Sequence, residues 1–263
     1  MELGARWILF IAHRVAAVDG AVTAIPAPPG WVLPLLTLAS LWLILVKGRL
    51  RWAALLPIVA TLAFWAVHPQ RPLLLISGDG GLAGLMGQGG RAVSAARGAG
   101  FAAESWLEND GDLISQEDAA LRPGFTGQKG ARSFTINGWR AVLLTGKGAA
   151  DALKGACSTH DLVIAAQDGD TAGAMPRNGT GHRAADLVGR GPGGCLLIDQ
   201  VTLRRAGALS IEAGKGGALD LMPAQRGNRL WMAKDRGAEP ITLTPLDRSS
   251  STTLPVGLMT EPR

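Results

Sequence analysis

The sequence is poor in the residues on which small secreted scaffolds and metal-binding modules depend. It has 263 residues but only two cysteines and four histidines. Two cysteines are too few for a disulfide-rich scaffold or a cysteine-based zinc module. Charged residues make up only 18% of the chain, against about 25% in an average soluble domain. With 47% hydrophobic residues the chain is too apolar to be disordered, and 36 glycines without a Gly-X-Y period exclude collagen.

Acidic residues are scarce in the first quarter of the chain. Residues 1–72 carry six Lys and Arg but only two acids, Glu2 and Asp19, which gives this segment a net charge of +4. The same segment holds five of the eight tryptophans and only four of the 36 glycines. Residues 73–263 hold the other 20 basic and 19 acidic residues, a net charge of +1. This nearly neutral segment lacks the excess positive charge that would attract the phosphates of a nucleic acid to it by itself.

Two long uncharged runs in the first segment predict membrane-spanning helices at about residues 29–46 and 52–68. A spanning helix needs about 20 apolar residues, with a tolerated range of about 17–25. Trp31, Trp52 and Trp65 lie near the ends of the runs, as in the aromatic belts of membrane proteins. Two runs do not fit a cleavable signal peptide with one short apolar core. The alternative interpretation is a pair of buried helices in a large soluble core.

The loop between the two runs sets the expected orientation. Lys47, Arg49 and Arg51 place three positive charges within five residues. Basic loops favour the cytoplasmic side, so the residues after the second run are expected outside the cytoplasm.

Residues 1–18 alternate apolar and polar side chains. Trp7 and Ile11 are among the apolar ones, and Arg6, His13 and Arg14 are among the polar ones. This pattern suits an interfacial amphipathic helix or the tail of a truncated helical segment.

Residues 73–246 are predicted to form an α/β domain, and residues 247–263 a disordered tail. The domain combines short apolar runs, Gly-rich turns and an Asn-Gly hairpin. Strands are expected at 73–76, 82–86, 91–95, 134–136, 139–144, 161–166 and 195–199, with a further pair inside 203–211 that turns at 206–207. Helices are expected at 101–107 and 149–155.

One polar loop carries the residue types of a metal site. Asp168, Asp170 and His182 supply two carboxylates and an imidazole, which can bind a metal ion. Short Asp-Gly segments are more often simple turns. No serine–histidine or cysteine–histidine pair has a supporting motif. His160, which precedes an expected strand, is interpreted as a capping or surface residue.

Cys157 and Cys195 are predicted to form a disulfide. Both lie in the part expected outside the membrane, where oxidation is favoured. Each cysteine stands at or just before an expected strand, so the two sulfurs would lie at one edge if those strands are neighbours. The bridge would close a loop of about 38 residues and contribute roughly 3.5–4 kcal/mol by the chain-entropy estimate. The alternative is two buried, reduced thiols.

The order of these features resembles a known family. Two apolar helices end at the segment 68–85, followed by Glu104–Gly111, the Asn-Gly hairpin, Cys157–Ala165 and Cys195–Asp199. This order is similar to the C-terminal third of ComEC-type competence proteins, inner-membrane channels that admit a single DNA strand during natural transformation. It is most similar to the branch whose terminal domain is a degenerate β-lactamase-like fold. The resemblance covers nearly the whole chain in short motifs, and implies a truncated or split member without the family's preceding domain and spans.

The resemblance implies a fold and a function. The expected fold is a membrane α-helical N-terminal part, with two transmembrane helices and an amphipathic segment, followed by an α/β domain of degenerate β-lactamase-like type. The expected function is a non-enzymatic, membrane-anchored part of a DNA-uptake channel in the bacterial inner membrane. Its expected partners are other segments or subunits of the channel, and single-stranded DNA through the complete channel.

Active β-lactamase-like hydrolases carry an H-x-H-x-D-H motif, and this sequence has none. The matching region, Ser77–Leu82, has glycines where metal ligands would be needed, so no catalytic residue, metal or cofactor is expected. One alternative is a metal-dependent hydrolase or nuclease that uses Asp168, Asp170 and His182. Another is an unrelated two-span protein with an outer ligand-binding domain.

Overall fold

A computed structural model of the chain describes residues 2–18, 25–67, 71–166, 188–191, 194–224 and 240–244. The chain divides into two compact units. The first comprises Met1–Ser77 and Gly81–Phe125, and the second Gly78–Gly80 and Thr126–Arg263. Both units combine helices and strands, which confirms a mixed α/β content. The predicted tail at 247–263 lies outside the described residues.

Among the described residues, three helices precede the first three strands, two follow them, and two lie between later strands. They are α1 (Glu2–Ala16), α2 (Val32–Leu45), α3 (Leu55–Val67), α4 (Gly100–Asn109), α5 (Gln116–Leu121), α6 (Ala149–Thr159) and α7 (Gln200–Ala206). Two 3₁₀ helices cover Arg49–Ala54 and Lys215–Gly217.

The strands are short, as the frequent Gly-rich turns predicted. They are β1 (Leu74–Ile76), β2 (Ala83–Gly87), β3 (Gly90–Val93), β4 (Ala131–Ile136), β5 (Trp139–Thr145), β6 (Leu162–Ala166), β7 (Gly189–Arg190), β8 (Leu196–Asp199), β9 (Leu209–Ala213), β10 (Leu219–Pro223) and β11 (Ile241–Leu243).

The first unit joins the apolar helices to a small antiparallel meander. β2 pairs with β1 on one side and with β3 on the other, as the Gly-rich turns predicted. Behind the meander, Leu82 and Val93 pack against Ala103 and Leu107 of α4 and Ala119 of α5. This small core holds the two helices against the strands.

A buried ion pair fixes this unit. Arg91 on β3 is fully buried, and its Nε and one Nη donate to the two carboxylate oxygens of Asp110 at 2.5 and 3.1 Å. The guanidinium also donates to the carbonyls of Gly84 at 3.0 Å and Pro72 at 3.3 Å. A buried charge is costly unless it is paired and hydrogen-bonded, and four bonds meet that requirement here.

The segment before α2 is attached to the end of α4. The amide of Ala27 donates to the carbonyl of Asn109 at 2.8 Å, and the indole of Trp65 donates to the carbonyl of Pro26 at 3.1 Å. Gly111 lies so close that a Cβ on it would stand 2.8 Å from the nitrogen of Pro26. The chain therefore needs a glycine at this crossing.

The second unit is built on a five-stranded sheet in the order β4-β5-β6-β8-β7. β5, β6 and β8 are parallel, and β4 and β7 pair antiparallel at the two edges. The predicted hairpin is confirmed, because Ile136 pairs with Trp139 across the Asn137-Gly138 turn. In a separate antiparallel set of this unit, β10 pairs with both β9 and β11.

One strand prediction is wrong. Leu203 belongs to helix α7 and not to a strand that turns at 206–207. The carboxylate of Asp199 accepts the amide of Thr202 at 2.7 Å, which caps the helix at its first turn. Helix α7 ends at Gly207, and β9 begins at Leu209. The apolar run thus divides between a capped helix and one strand.

We predict that Arg91→Met destabilises the protein by about 3–5 kcal/mol, because Asp110 would remain buried without its partner. The measurement is unfolding of the full chain by denaturant in one detergent at a constant concentration, monitored by limited proteolysis. Arg97→Met is the matched control. It removes an exposed ion pair with Glu117, worth less than about 1 kcal/mol. Equal losses in the two variants would contradict the role given to Arg91.

Candidate functional site

Two features of the structure are candidates for function, and the first is the pair of apolar helices. α2 and α3 pack side by side in opposite directions, since Trp31 before α2 contacts Phe64 near the end of α3. Their ring centroids are 5.2 Å apart in an edge-on arrangement. The side chains buried within these helices include the small residues Ala39 and Thr61. Small residues at such contacts let helix backbones approach closely.

The outer surface of this helix pair is apolar and uncovered. Leu38, Ile44, Leu56 and Val59 are each more than 60% exposed. The continuous helical stretch Arg49–Val67 is long and apolar enough to cross a membrane by length and composition, and 11% of its apolar window is buried. Helix α2, at 14 residues, is apolar but shorter than the predicted span at 29–46.

The turn between the two helices carries the predicted basic loop. The side chains of Lys47, Arg49 and Arg51 are all exposed. Gly48 has a φ of +85°, which lets the chain leave α2 and start the 3₁₀ helix at once. The guanidinium of Arg51 lies 4.8 Å from the centre of the Trp52 ring. The basic turn, defined here as Lys47–Trp52, is thus at the end of the helix pair opposite Trp31.

The predicted amphipathic segment is helical. Every described side chain of α1 is exposed. Trp7 stacks on Phe10 with centroids 5.7 Å apart, and the guanidinium of Arg14 lies 5.2 Å from the Phe10 ring. The helix therefore presents an aromatic cluster with a cation beside it.

The second candidate is the edge of the sheet in the second unit where the parallel strands end. Ligands of open α/β sheets bind outside the carboxyl ends of such strands. β6 ends here at Ala166, and the backbone of Gly80 lies so close to Ala166 that a Cβ on Gly80 would stand 2.6 Å from its side chain. Asp79 and Asp199 therefore belong to segments that meet this edge.

The edge does not assemble a metal site from the described residues. They contain no group of three His, Cys, Asp or Glu side chains arranged to hold a metal ion. Asp199 is engaged as the cap of α7. Asp168, Asp170 and His182, which carry the hydrolase alternative, lie outside the described residues.

The predicted disulfide between Cys157 and Cys195 is present, and their Cα atoms are 5.0 Å apart. β6 and β8 are neighbours in one sheet, as the prediction required. Helix α6 is longer than predicted, so Cys157 lies in its last turns and not in a loop. Both sulfurs are buried in the core beside Leu153, under Gly191, where a Cβ would lie 2.5 Å from each sulfur.

His160, which the sequence indicates as a capping or surface residue, is the C-cap of α6. Its amide bonds the carbonyl of Ala156 at 2.9 Å and ends α6. Its ring nitrogens lie 2.8 Å from the hydroxyl of Thr159 and 3.1 Å from that of Ser133. The ring therefore ties the end of α6 to β4.

Two structural contacts are not among the features predicted from the sequence. They are the Arg91–Asp110 ion pair and the attachment of Pro26 and Ala27 to the end of α4. The partners are distant along the chain. The local hint is an arginine directly before two apolar residues in a strand, Ala92 and Val93.

Comparison with protein-family models, curated proteins and solved structures finds no match to this chain. The resemblance to ComEC-type proteins thus remains a prediction from the sequence.

We predict that unfolded, unreduced chain takes up no thiol-alkylating reagent, and that reduced chain takes up two equivalents, read by mass spectrometry. Replacing both cysteines with alanine is expected to lower the free energy of unfolding by about 2–4 kcal/mol, because the unfolded chain regains loop entropy. A Ser158→Ala and Thr159→Ala double variant, on exposed sites of the same helix, is the control. Two adducts without reduction would overturn the prediction.

Proposed function

We propose that this chain is a non-enzymatic, membrane-anchored part of a DNA-uptake channel of the bacterial inner membrane. In this proposal α2 and the stretch Arg49–Val67 lie in the bilayer, and the residues after Arg71 lie outside the cytoplasm. The sequence resemblance to ComEC-type competence proteins supplies the channel. The helix pair supplies the main support for the anchor.

The observation that carries the anchor is the exposed apolar surface of α2 and α3. Apolar patches on soluble monomers rarely exceed a few hundred Å², and a helix that is apolar all round belongs inside a protein or a bilayer. In these helices large side chains such as Leu33, Leu38, Ile44 and Leu56 point away from the protein. Lipid chains would cover them.

The helices can reach across the hydrocarbon layer when their flanking residues extend them. The stretch Arg49–Val67 has a length of about 31 Å, close to the hydrocarbon thickness of about 30 Å, but its first turn holds Arg49 and Arg51 at headgroup depth, and α3 alone measures about 20 Å. α2 measures about 21 Å and would need the flanking residues or a thinner bilayer to cross. Within α2 the hydroxyl of Thr37 donates to the carbonyl of Pro34 at 2.8 Å. That bond removes an unsatisfied polar group from the apolar layer.

The ends of the helix pair differ in charge. One end carries the basic turn, and the other carries Trp31 and Trp65 beside the chain segments that lead to the α/β part. Basic loops favour the cytoplasm, whereas tryptophans lie at both ends of this pair and mark the two membrane interfaces. The difference in charge supports the proposed orientation.

The α/β part is proposed to act without catalysis. Residues 73–263 have a net charge of only +1, so DNA contact is assigned to the complete channel, together with its other segments or subunits. The degenerate β-lactamase-like fold remains part of the proposal through the sequence resemblance, and the missing H-x-H-x-D-H motif is the reason that it is called degenerate.

We expect a reporter active only outside the cytoplasm to be active when it is fused after Arg71, because the basic turn holds the helix pair with its loop inside. A reporter fused after Gly48 should be silent, and it serves as the internal control. A cytoplasmic reporter that is active after Arg71 would reverse the proposed orientation.

Deletion of the gene is expected to leave labelled DNA bound to competent cells but to block its entry and to abolish transformants. Complementation with the full chain should restore both readouts. Normal transformation in the deletion strain would reject the channel role.

Stoichiometric zinc or manganese in the purified full chain, lost in His182→Ala, would favour the hydrolase alternative.

A further inference from the structure

The basic turn, Lys47–Trp52, joins three exposed cations to an exposed indole at one end of the helix pair. Resting on the proposed membrane placement, we infer that this turn binds the headgroup phosphates of anionic phospholipids. The occupant is a lipid of the surrounding bilayer, and the recognised chemistry is a phosphodiester headgroup with a net negative charge, which phosphatidylglycerol has and zwitterionic phosphatidylcholine lacks.

The basic turn has no acidic partner among the residues that the structure describes. Between Asp19 and Asp79 the sequence contains no acidic residue. Among the described residues, Lys47, Arg49 and Arg51 form no ion pair. Three exposed cations therefore stand together without a counter-charge from the chain itself.

The local geometry of the basic turn suits a phosphate ligand. A 3₁₀ helix has three residues per turn, which places Arg49 on the same edge as Trp52. The indole of Trp42 donates to the carbonyl of Leu50 at 3.4 Å, so a second indole lies at this end of the helix pair. Indoles settle at the headgroup level of a bilayer, and Arg binds phosphate with two parallel N–H donors. The turn thus presents phosphate donors at headgroup depth.

The charge of the basic turn is complementary to that of the membrane surface on which the turn would lie. The cytoplasmic leaflet is negatively charged, and each basic residue near it strengthens binding roughly fivefold. Three such residues at one turn give a preference that experiment can resolve. Arg51 keeps its planar group exposed while stacking on Trp52, which orders it for a ligand.

The test uses the purified full chain in vesicles of equal parts phosphatidylglycerol and phosphatidylcholine, with retained lipids counted by native mass spectrometry. We expect phosphatidylglycerol to be enriched on the wild-type chain. The variant K47Q, R49Q, R51Q should lose that enrichment, by roughly fivefold for each residue. The control K129Q, K154Q, K215Q makes the same charge change at exposed sites of the second unit and should keep it.

A change of salt concentration tests the wild-type chain alone. The inference can therefore be tested even if the triple variant of the basic turn fails to insert into vesicles. Raising the salt from about 0.1 M to 1 M shortens the screening length from about 10 to 3 Å and should reduce the enrichment. Enrichment that is equal in both triple variants, or absent from the wild type, overturns the inference.

Flotation separates this inference from the proposed function. Wild-type chain in vesicles of phosphatidylcholine alone should float after an alkaline carbonate wash, because insertion depends on α2 and α3 and not on lipid charge. A chain that floats without preferring phosphatidylglycerol refutes only the lipid site. A chain that is washed off refutes the membrane placement, and the lipid site with it.

Discussion

The first unit depends on one buried charge. Arg91 points into the unit from a short strand and holds three pieces of chain at once: Asp110 after α4, Gly84 on β2 and Pro72 before β1. β1 has three residues and β3 four, and strands this short have few ladder bonds of their own. The hydrogen bonds of the guanidinium hold these short strands together where their ladder hydrogen bonds are few. Its five fixed donors suit this position, and lysine offers no such planar fork.

The effect of this ion pair reaches the apolar helices. Asp110 directly follows α4, whose last residue, Asn109, accepts the amide of Ala27. Arg122 adds a second link, because it bonds both Asp112 and the carbonyl of Arg91. The chain that leads into α2 is therefore attached to the same loop that Arg91 secures. Within this unit, the Arg91–Asp110 ion pair therefore stabilises both the strands of the α/β part and the position of the helix pair.

Local signals predicted the local structure, and long-range contacts escaped them. Asn137-Gly138 between two apolar runs is sufficient to predict a hairpin, since the turn and both strands lie within a few residues. Leu203 was assigned to the wrong element because an apolar run does not reveal its period when it is short. Arg91 and Asp110 are 19 residues apart, and no pattern links them. The disulfide was predictable only because two cysteines leave one pairing. The candidate ligands Asp168, Asp170 and His182 are known from the sequence alone.

Two independent physical arguments favour the same orientation of the chain. Disulfides persist in oxidising compartments and are rare in the cytosol, which favours an extracytoplasmic second unit for the Cys157–Cys195 bridge. The basic turn favours the cytoplasm for the loop between α2 and α3. In the proposed placement, one crossing by Arg49–Val67 would join these two locations, because the chain runs from the turn through α3 to the α/β part. Redox chemistry and charge act on different residues, so their agreement is a stronger argument than either alone.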